Sequence, residues 1–424
     1  MSEDGIDVIV VGAGPAGAAC ALRLARAGRS VVLVERGLSA GAKNVSGGRL
    51  YTYALEAVEE GLTAQAPWER AVVREQIMLM DGKRAVTVTV ADPPEPGSRP
   101  ESATVLRAVL DPWLAGVAED AGALLATGVV VDSLLIEHDR VVGIVADGEE
   151  MRAEVVVAAD GVMSLLGRQA GLVSRPAAHA VGIGAKEVIG LESSRLEERF
   201  GVGAREGVAM LMAGCTGGTA GGGFLYTNGS SLSLGIVAAP AELSAAGLTV
   251  HRLLQDLKAH PALAGLLADA PTLEYSAHLV REDGWAGVPK RLTRAGFVLV
   301  GEAAGFVLNL GYTVRGMDLA LLSGVAAAEA IIAGGDLETA YRSALDRTGL
   351  LATMRATRGY RDVLAMERMY AAYPALALDV AARMYAVDAG PPRHLRHHVT
   401  AAMRARGVPM RGVVRDALVG MRSL

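Results

Sequence analysis

Six residues near the N-terminus have the types and spacing of a phosphate-binding turn. Residues 12–17 read G-A-G-P-A-G, which fits the pattern G-x-G-x-x-G, and an acid follows about twenty residues later. The first glycine permits a sharp turn, the second lets the backbone approach a pyrophosphate, and the third lets a helix pack closely on a strand. The acid can accept both ribose hydroxyls of an adenosine. The pattern therefore predicts a dinucleotide site for FAD or NAD, with the expected contacts Gly12, Gly14, Pro15, Ala16, Gly17, Glu35 and Arg36.

The elements that must position this turn are also present in the sequence. Residues 6–11 form a short apolar run rich in β-branched side chains, which is typical of a buried parallel strand. A helical pattern covers residues 16–27, and a second strand pattern covers residues 30–34 and ends on the acid. The alternative is a glycine-rich turn without a ligand. The order of strand, turn, helix and acid favours the dinucleotide interpretation.

Composition limits the classes of protein to which the chain can belong. With 424 residues it has room for two or three domains and a large core. Hydrophobic residues make up 51%, but charged side chains interrupt the most apolar region, residues 297–335, so no membrane-spanning helix is expected. The N-terminus is acidic and lacks the basic start of a secretory signal, which predicts a cytoplasmic protein. A net charge of −5 argues against nucleic acid as a partner.

The two cysteines, Cys20 and Cys215, are too few for a four-thiolate iron–sulfur cluster, so none is expected in this chain. The eight histidines show no zinc-ligand spacing, and no metal site is expected either.

Three further segments accompany the N-terminal turn, and together they resemble a known cofactor-binding set. Arg107 opens a predicted helix, Asp160-Gly161 ends a predicted strand, and residues 301–305 (G-E-A-A-G) end another. The set resembles the FAD-binding residues of the flavoprotein superfamily that includes aromatic hydroxylases, geranylgeranyl reductases and electron transfer flavoprotein:quinone oxidoreductases. The resemblance implies that Arg107 lies against the flavin end of FAD. It also implies that Asp160 and Gly161 are the family's Asp-Gly element, and that residues 301–305, which begin with Gly301 and Glu302, cover the ribityl chain and the pyrophosphate.

Longer segments resemble one branch of this superfamily, the FixC type of electron transfer flavoprotein:quinone oxidoreductase. They are GAKNVSGGRLY at 41–51, GGFLYTN at 222–228, EYSAH at 274–278 and NLGYTVRGMDLA at 309–320. The resemblance implies non-covalent FAD that takes electrons from an electron transfer flavoprotein and passes them to a membrane quinone. It adds to the expected FAD contacts Lys43, Asn44, Gly47, Gly48, Gly311, Tyr312 and Thr313.

The predicted fold class is α/β. A Rossmann-like FAD-binding domain of the glutathione-reductase or hydroxylase type is expected, with an inserted antiparallel β-sheet domain and a helical C-terminal region. The expected limits are 1–75, 105–175 and 281–345 for the three FAD-binding segments, 76–104 for a β insert that joins the substrate domain, 176–280 for the antiparallel quinone domain and 346–424 for the helical region.

Several residues allow two interpretations. Glu302 stands where the family usually has Asp, so its longer side chain must bend back or bind through water to reach a ribityl hydroxyl. Gly221 and Gly222 align with a glycine pair that contacts the quinone in mitochondrial relatives; the alternative is a bend in a strand. Arg315 either steadies a reduced flavin or pairs with Asp318. Lys43 has the same possible role, with solvent exposure as its alternative.

The flavin is expected to gain positive potential from the dipole of a helix that begins near Thr313.

The expected partners follow from the resemblance. Longer mitochondrial relatives carry their own cysteine-ligated iron–sulfur domain, so a separate ferredoxin-like subunit is expected, with the two electron transfer flavoprotein subunits, in a FixABCX-like complex. Residues 393–424 contain seven arginines and one acid, which favours docking on an anionic membrane or an acidic subunit; the alternative is an ordinary solvated helix. The rival functions are a geranylgeranyl-type isoprenoid reductase and a FAD-containing assembly subunit that is inactive alone.

Overall fold

A computed structural model of the chain describes residues 5–42, 47–95, 97–387 and 390–423. The strands, in chain order, are β1 (Ile6–Val11), β2 (Val31–Glu35), β3 (Gly47–Tyr51), β4 (Arg70–Met80), β5 (Ala85–Ala91), β6 (Ser102–Leu106), β7 (Leu124–Thr127), β8 (Val131–Glu137), β9 (Arg140–Ala146), β10 (Glu149–Ala158), β11 (Val181–Gly190), β12 (Glu206–Ala213), β13 (Gly221–Thr227), β14 (Ser231–Ala238), β15 (Thr272–Arg281), β16 (Thr293–Arg294), β17 (Phe297–Leu299), β18 (Leu308–Asn309) and β19 (Val314–Arg315). The α-helices are α1 (Pro15–Arg26), α2 (Tyr53–Val58), α3 (Leu62–Gln65), α4 (Arg107–Asp120), α5 (Leu165–Gln169), α6 (Ser193–Phe200), α7 (Pro240–Ala245), α8 (Val250–Ala259), α9 (Pro261–Ala264), α10 (Met317–Ala333), α11 (Leu337–Arg347), α12 (Leu350–Ala356), α13 (Tyr360–Leu364), α14 (Ala372–Tyr385), α15 (Leu395–Ala405) and α16 (Met410–Ser423).

The first sheet has the order β16-β17-β10-β1-β2-β7, and its neighbours from β17 to β7 are parallel. Its central strands are runs of valine, isoleucine and leucine, as strands covered on both faces require. Because the strands are parallel, their carboxyl ends share one edge of the sheet. Gly12, Asp160 and Gly301 follow β1, β10 and β17 at that edge, and Glu35 ends β2. The predicted α/β fold is confirmed.

The second sheet has the order β15-β11-β14-β13-β12-β4-β6-β3, with β5 added to β4. It is antiparallel except for the parallel pair β12 and β4. It combines β11 to β15 with strands that precede residue 107, because β3, β4 and β6 pair within it. One face of this sheet packs on α8, with Ala185, Leu234 and Leu254 in the shared core.

Helices α1 and α10 pack closely on each other beside the first sheet. A Cβ atom added to Gly324 of α10 would lie 2.2 Å from the carbonyl oxygen of Ala16, so only glycine permits this approach. Cys20 of α1 is buried in the same core. The helix that follows the dinucleotide turn therefore packs against α10, which is about 300 residues away in the sequence.

The helix expected to begin near Thr313 is present as α10, but it begins at Met317. Val314 and Arg315 form β19, which pairs antiparallel with β18, and α10 begins only at Met317. The physical reason is a tight turn at Gly311, which has φ +78° and donates its N–H to Oδ1 of Asn309 over 2.9 Å.

The C-terminal region is helical, as predicted. Helix α14 packs on β4 and β5 of the second sheet, α15 packs on α14, and α16 packs on α13. Within the described residues, no helix is both long and apolar enough to cross a membrane.

Candidate functional site

In the glycine turn after β1, close backbone contacts require glycine at two positions, whereas a third position has free space around it. A Cβ on Gly12 (φ +104°) would lie 2.4 Å from the carbonyl oxygen of Ala159, and one on Gly17 would lie 1.9 Å from the carbonyl oxygen of Gly12. At Gly14, by contrast, the nearest atom would be Nη2 of Arg107 at 3.7 Å. Gly14 therefore leaves free space at the start of α1, where backbone N–H groups attract phosphate.

The N-terminal residues of α1 complete this turn. Gly14 is the N-cap, Pro15 occupies the first turn and Ala16 is buried, and no side chain caps the helix. Helix N-termini without a side-chain cap keep unpaired N–H groups for a ligand.

The acid at the end of β2 is tied to the glycine turn. Oε2 of Glu35 accepts a hydrogen bond from the N–H of Ala13 (3.1 Å), and Oε1 accepts one from the N–H of Gly37 (2.7 Å). Arg36 is exposed, and its charge acts on Asp160 across the sheet edge. The two strand ends thus lie side by side, as a ribose-binding acid requires.

Asp160 has an incomplete set of partners. Its Oδ2 accepts a hydrogen bond from the N–H of Leu166 over 2.9 Å, but Oδ1 is buried without a partner among the described residues. Burial raises the pKa of Asp160, and the hydrogen bond from Leu166 opposes that rise. Gly161 has φ +78° and open space where a Cβ would lie. A buried acceptor without a partner in the protein is rare, and a ligand that donates a hydrogen bond would complete it.

Arg107 is fixed beside the glycine turn by an acid of its own helix. Its Nε and Nη2 donate to Oδ1 and Oδ2 of Asp111 at 2.7 and 2.6 Å, and the Asp111 carboxylate is fully buried. This two-point pairing holds the guanidinium in one orientation.

The segment after β17 contacts α1 and α10. The N–H of Gly301 donates to Oγ of Ser323 over 2.8 Å, and a Cβ on Gly301 would lie 2.9 Å from that of Ala16. Oε1 of Glu302 accepts the backbone N–H of Arg281 over 3.0 Å. Burial raises the pKa of Glu302, while this hydrogen bond and nearby cations oppose the rise. Glu302 therefore joins the two sheets, and its contact with FAD stays a prediction.

Residues 311–313 connect three parts of the chain. Oγ1 of Thr313 lies 2.7 Å from the hydroxyl of Tyr51 in β3. The rings of Tyr312 and Tyr360 meet edge to face at 6.1 Å, which links the hairpin to the C-terminal region. Arg315 pairs with Asp318, as the i,i+3 alternative predicted, and its Nη2 donates to the hydroxyl of Tyr53.

The glycines of β3 pack against the protein itself. The N–H of Gly47 donates to Oγ of Ser233 over 2.9 Å, and a Cβ on Gly48 would lie 2.8 Å from Cε of Met317. Lys43 and Asn44 lie outside the described residues.

The expected quinone contacts lie at the start of β13. A Cβ on Gly221 (φ +145°) would lie 2.1 Å from the carbonyl oxygen of Val237, and one on Gly222 would lie 2.9 Å from that of Met212. Close approach of the neighbouring strands therefore accounts for both glycines, and their contact with a quinone stays a prediction.

Sequence reasoning missed Lys186 in β11 and placed no weight on His278 in β15. Burial, then the charge of Arg107, lowers the pKa of Lys186 to about 8. Burial, then the charges of Lys186 and Arg107, lowers the pKa of His278 to about 4, and its Nδ1 is buried without a partner. Both residues thus lie in electrostatic range of Arg107. A single lysine or histidine in a strand has no spacing that could have revealed this.

Glu282, just after β15, was also missed. Its Oε2 accepts a hydrogen bond from Nδ2 of Asn309 over 3.0 Å. Burial raises the pKa of Glu282 to about 7, and the carboxylates of Glu302 and Asp283 add to the rise. A carboxyl group with this pKa can hold or release a proton near neutral pH.

Other features lie apart from this site. A surface groove of about 550 Å³ is lined by Lys290, Arg291 and Arg294, beside β16 and on no part of the glycine turn. Among residues 5–42, 47–95, 97–387 and 390–423, no cluster of three or more His, Cys, Asp or Glu side chains could hold a metal ion.

The chain is similar to known flavoproteins over its whole length. A family model described as FAD dependent oxidoreductase matches residues 7–175, and the ETF-QO/FixC family C-terminal domain matches residues 362–424. The chain is 41% identical to "Probable electron transfer flavoprotein-quinone oxidoreductase YdiS" of Escherichia coli strain K12 and 41% identical to "Protein FixC" of Salmonella typhi, with 100% of each chain covered.

Two solved structures share the fold. A geranylgeranyl bacteriochlorophyll reductase-like protein from Thermoplasma acidophilum has a TM-score of 0.71 at 20% identity, over 94% of this chain and 96% of that one. The flavin-dependent brominase Bmp2 has a TM-score of 0.64 at 15% identity, over 99% of both chains.

The residues at the sheet edge fit FAD. The unpartnered Oδ1 of Asp160 offers an acceptor, and the start of α1 offers backbone donors without a side-chain cap. A Cβ at Gly14 would have only Nη2 of Arg107 within 4 Å, and one at Gly161 would have no atom within that distance. Donors, acceptor and space thus match a pyrophosphate with its neighbouring hydroxyl groups.

Proposed function

The chain belongs to the ETF-QO/FixC family of FAD-dependent oxidoreductases, and on that premise we propose that it accepts electrons from an electron transfer flavoprotein and reduces a membrane quinone. The observation that carries the proposal is the full-length similarity to FixC proteins, because it covers both the cofactor domain and the C-terminal region. FAD, held non-covalently, can accept electrons singly from a protein and release them in pairs.

Residues at the carboxyl edge of the first sheet and at the start of α4 are proposed to bind different parts of FAD. The start of α1 and Gly14 hold the pyrophosphate, and Glu35 accepts from the adenosine ribose. Arg107, held by Asp111, faces the flavin end. The further proposed contacts are Gly12, Pro15, Ala16, Gly17, Arg36, Lys43, Asn44, Gly47, Gly48, Asp160, Gly161, Gly301, Glu302, Gly311, Tyr312 and Thr313.

The quinone is proposed to bind near Gly221 and Gly222, where the second sheet meets the C-terminal region. In support, a Cβ on Gly218 would lie 3.6 Å from that of Ala371, just before α14. A quinone has a long apolar tail and needs a passage between packed elements that leads to lipid. We propose that this passage lies at the junction of the second sheet with α14.

Helix α16 supports a peripheral contact with the membrane. It turns Gly412 and Asp416 inward, and Asp416 pairs with Arg368 of the C-terminal region. Its opposite face is apolar and exposed, and consists of Met410, Val414, Leu418 and Met421. Arg411 and Arg415 flank this face and favour anionic headgroups. This arrangement is the reverse of an ordinary packed helix, whose apolar face is buried.

The membrane contact can be tested by vesicle sedimentation. Wild-type protein is expected to sediment with anionic phosphatidylglycerol vesicles and less at high salt, because arginine–headgroup attraction is screened. The double variant Leu418→Glu, Met421→Glu is expected to lose this binding. Val88→Glu, Val90→Glu, on the exposed strand β5, is the matched control and is expected to bind normally. Equal sedimentation of all three proteins would remove the contact from the proposal.

The proposed partners are the two electron transfer flavoprotein subunits and a separate ferredoxin-like iron–sulfur subunit. Cys20 is buried in α1 and Cys215 follows β12. The two cysteines are too few for a four-thiolate cluster, which supports a cluster carried by another chain. Co-expression followed by size-exclusion chromatography tests the assembly. Failure of all three partners to co-elute with this chain would contradict it.

Anaerobic rapid mixing tests the electron path. Reduced electron transfer flavoprotein is expected to bleach the flavin absorbance of this protein, and a soluble quinone is expected to restore it. Reduction of an isoprenoid double bond, without quinone-dependent reoxidation, would favour the reductase rival. Absence of both activities unless the partner subunits are present would favour the assembly role.

A further inference from the structure

Lys186 occupies a face of the second sheet that the hydrophobic core does not use. Its neighbour Ala185 belongs to the core that packs on α8. Since successive side chains of a strand alternate between faces, Lys186 lies on the opposite face. There its charge interacts with Arg107, whose guanidinium lies beside Gly14 of the glycine turn, and with Glu302, which follows β17 of the first sheet. Lys186 therefore extends from the second sheet towards the FAD site.

The sheet makes room for this side chain through a glycine. Phe224, Gly235 and Lys186 are direct neighbours across β13, β14 and β11. A Cβ on Gly235 would lie 2.3 Å from Cζ of Phe224 and 3.1 Å from Cγ of Lys186. Nζ of Lys186 lies 5.9 Å from the centre of the Phe224 ring, within the range of a cation–π contact. The ammonium group of Lys186 thus lies within cation–π range of the Phe224 ring.

The charge of Lys186 is not balanced by an ion pair. Among the described residues, no carboxylate oxygen lies within 4.0 Å of its Nζ. The carboxylate of Glu302 attracts this charge from beyond ion-pair distance, but the repulsion from Arg107 is the larger effect on Lys186. A half-buried cation without a counter-ion is costly unless an anion binds beside it.

The other groups on this face do not supply that anion. His278 lies diagonally across the β11–β15 pair, and its low pKa of about 4 keeps it neutral at physiological pH. Arg315, the other cation considered for this role, already pairs with Asp318. Lys186 is thus a cation in electrostatic range of Arg107 and Glu302 that has no ion-pair partner among the described residues.

We propose that Lys186 stabilises the reduced flavin of FAD by placing its ammonium group beside the negative charge that reduction creates. Two electrons and one proton convert oxidised flavin into an anion whose charge lies on the pyrimidine side of the ring. A fixed cation lowers the free energy of that anion more than that of the neutral oxidised ring. Lys186 thereby makes FAD easier to reduce. The inference rests on FAD binding with the flavin end at Arg107, as proposed above.

The test compares Lys186→Met with wild-type protein, each loaded with FAD. An anaerobic titration with dithionite gives the midpoint potential, and a sulfite titration gives the affinity for an anionic flavin adduct. Lys186→Met is expected to weaken sulfite binding at least about tenfold, and a tenfold weaker preference for reduced FAD equals about 30 mV for two electrons. Lys290→Met, which removes an exposed lysine far from the cofactor edge, is expected to match the wild type in both measurements.

A second variant separates charge from shape. Lys186→Arg keeps the positive charge and is expected to keep the potential and sulfite affinity close to those of the wild type. If Lys186→Met does not retain FAD, Lys186→Gln takes its place in the same titrations. The inference is overturned if the neutral variant has the wild-type potential, or if Lys186→Arg falls as far as the neutral variant does.

The outcomes for this inference and for the proposed function are distinguishable. A wild-type protein that binds FAD but is not reduced by electron transfer flavoprotein would contradict the electron path and leave the titrations valid. A wild type with full electron transfer, and a neutral variant with unchanged potential, would contradict only the role of Lys186.

Discussion

The backbone N–H of Ala13 donates a 3.1 Å hydrogen bond to Oε2 of Glu35, so the glycine turn and the end of the second strand are fixed to each other. The same carboxylate accepts the N–H of Gly37 through its other oxygen. The acid therefore orders the turn at which we propose that the pyrophosphate binds, and the same proposal makes it the acceptor for the adenosine ribose.

Replacing Glu35 with Gln is expected to weaken FAD binding at least about tenfold, equivalent to about 1.4 kcal/mol. Glutamine has one acceptor oxygen and presents a donor to one of the two backbone N–H groups, so one hydrogen bond becomes a repulsion. Quenching of flavin fluorescence on binding to apoprotein measures the affinity. Glu59→Gln, which breaks only a surface ion pair with Arg26, is the control. Equal affinities for the two variants would show that Glu35 does not organise the site.

Gly17→Ala is expected to lower the free energy of unfolding by about 1–3 kcal/mol, because its Cβ would overlap the carbonyl oxygen of Gly12 and push α1 off the sheet. Gly116→Ala, in the interior of α4, is the matched control. Nothing lies within 4 Å of its Cβ position, so this variant is expected to gain about 0.5–1 kcal/mol. Urea unfolding of the apoproteins measures both changes. A stable Gly17→Ala protein would contradict the close approach of α1 to β1.

Glu282 is expected to make stability depend on pH. Because burial raises the pKa of Glu282 from 4.5 to about 7, the folded state holds a proton that the unfolded state has already lost. Its contribution to stability is fully present below about pH 4.5 and is lost as the pH rises through about 7.

The variant Glu282→Gln stays neutral at every pH. We expect it to be more stable than the wild type by about 1–2 kcal/mol at about pH 8, and to differ little at about pH 5. Denaturant unfolding of the apoprotein at the two pH values gives the comparison. Glu274→Gln, at an exposed position of β15, is expected to change neither value. A stability difference that is the same at both pH values would refute the buried, protonated carboxyl.

Asp416→Asn is expected to release α16 from the C-terminal region. Asp416 accepts from Nε and Nη2 of Arg368 at 2.7 and 2.9 Å and from the hydroxyl of Tyr373 at 2.6 Å. These bonds hold the pKa of Asp416 down at about 2, so their stabilisation is present above about pH 3.8 and is lost as the pH falls through about 2. Asparagine is neutral and has a single acceptor oxygen, so it cannot replace these charge-assisted hydrogen bonds.

Limited trypsin digestion at neutral pH measures this release. The Asp416→Asn protein is expected to lose its C-terminal segment several-fold faster than the wild type, since opened segments are cleaved first. Asp256→Asn, which breaks an exposed pair with Arg252 in α8, is the control. Identical digestion of all three proteins would mean that apolar packing, and not the ion pair, retains α16.

The sequence determined the dinucleotide turn because all of its parts lie within one continuous strand–turn–helix–strand unit. The spacing of Gly12, Gly17 and Glu35 is local, and the structure places them as that spacing requires. The core strands could be predicted for the same reason, since apolar runs such as residues 6–11 and 155–158 are typical of strands that are covered on both faces.

Short elements gave no such signal. Leu124–Thr127 (β7) is four residues long and gains its strand conformation only by pairing with β2. Gly311 is a second example, because its left-handed turn and the β18–β19 hairpin move the start of the helix expected near Thr313 to Met317. In both cases the conformation depends on pairing with another segment, and the hydrophobic periodicity of the sequence does not reveal that pairing.

Only the tertiary structure decided which charges meet. Lys186, His278 and Glu282 belong to or follow β11 and β15, whereas Arg107 opens α4 and Glu302 follows β17, and no spacing in the sequence connects them. Likewise, helical periodicity predicts an apolar face on α16 but does not predict whether that face meets the protein or the solvent. The pair Arg368–Asp416 turns the acid inward and leaves Leu418 and Met421 exposed. A sequence fixes which side chains share a face, while the free energy of packing between distant segments fixes what that face meets.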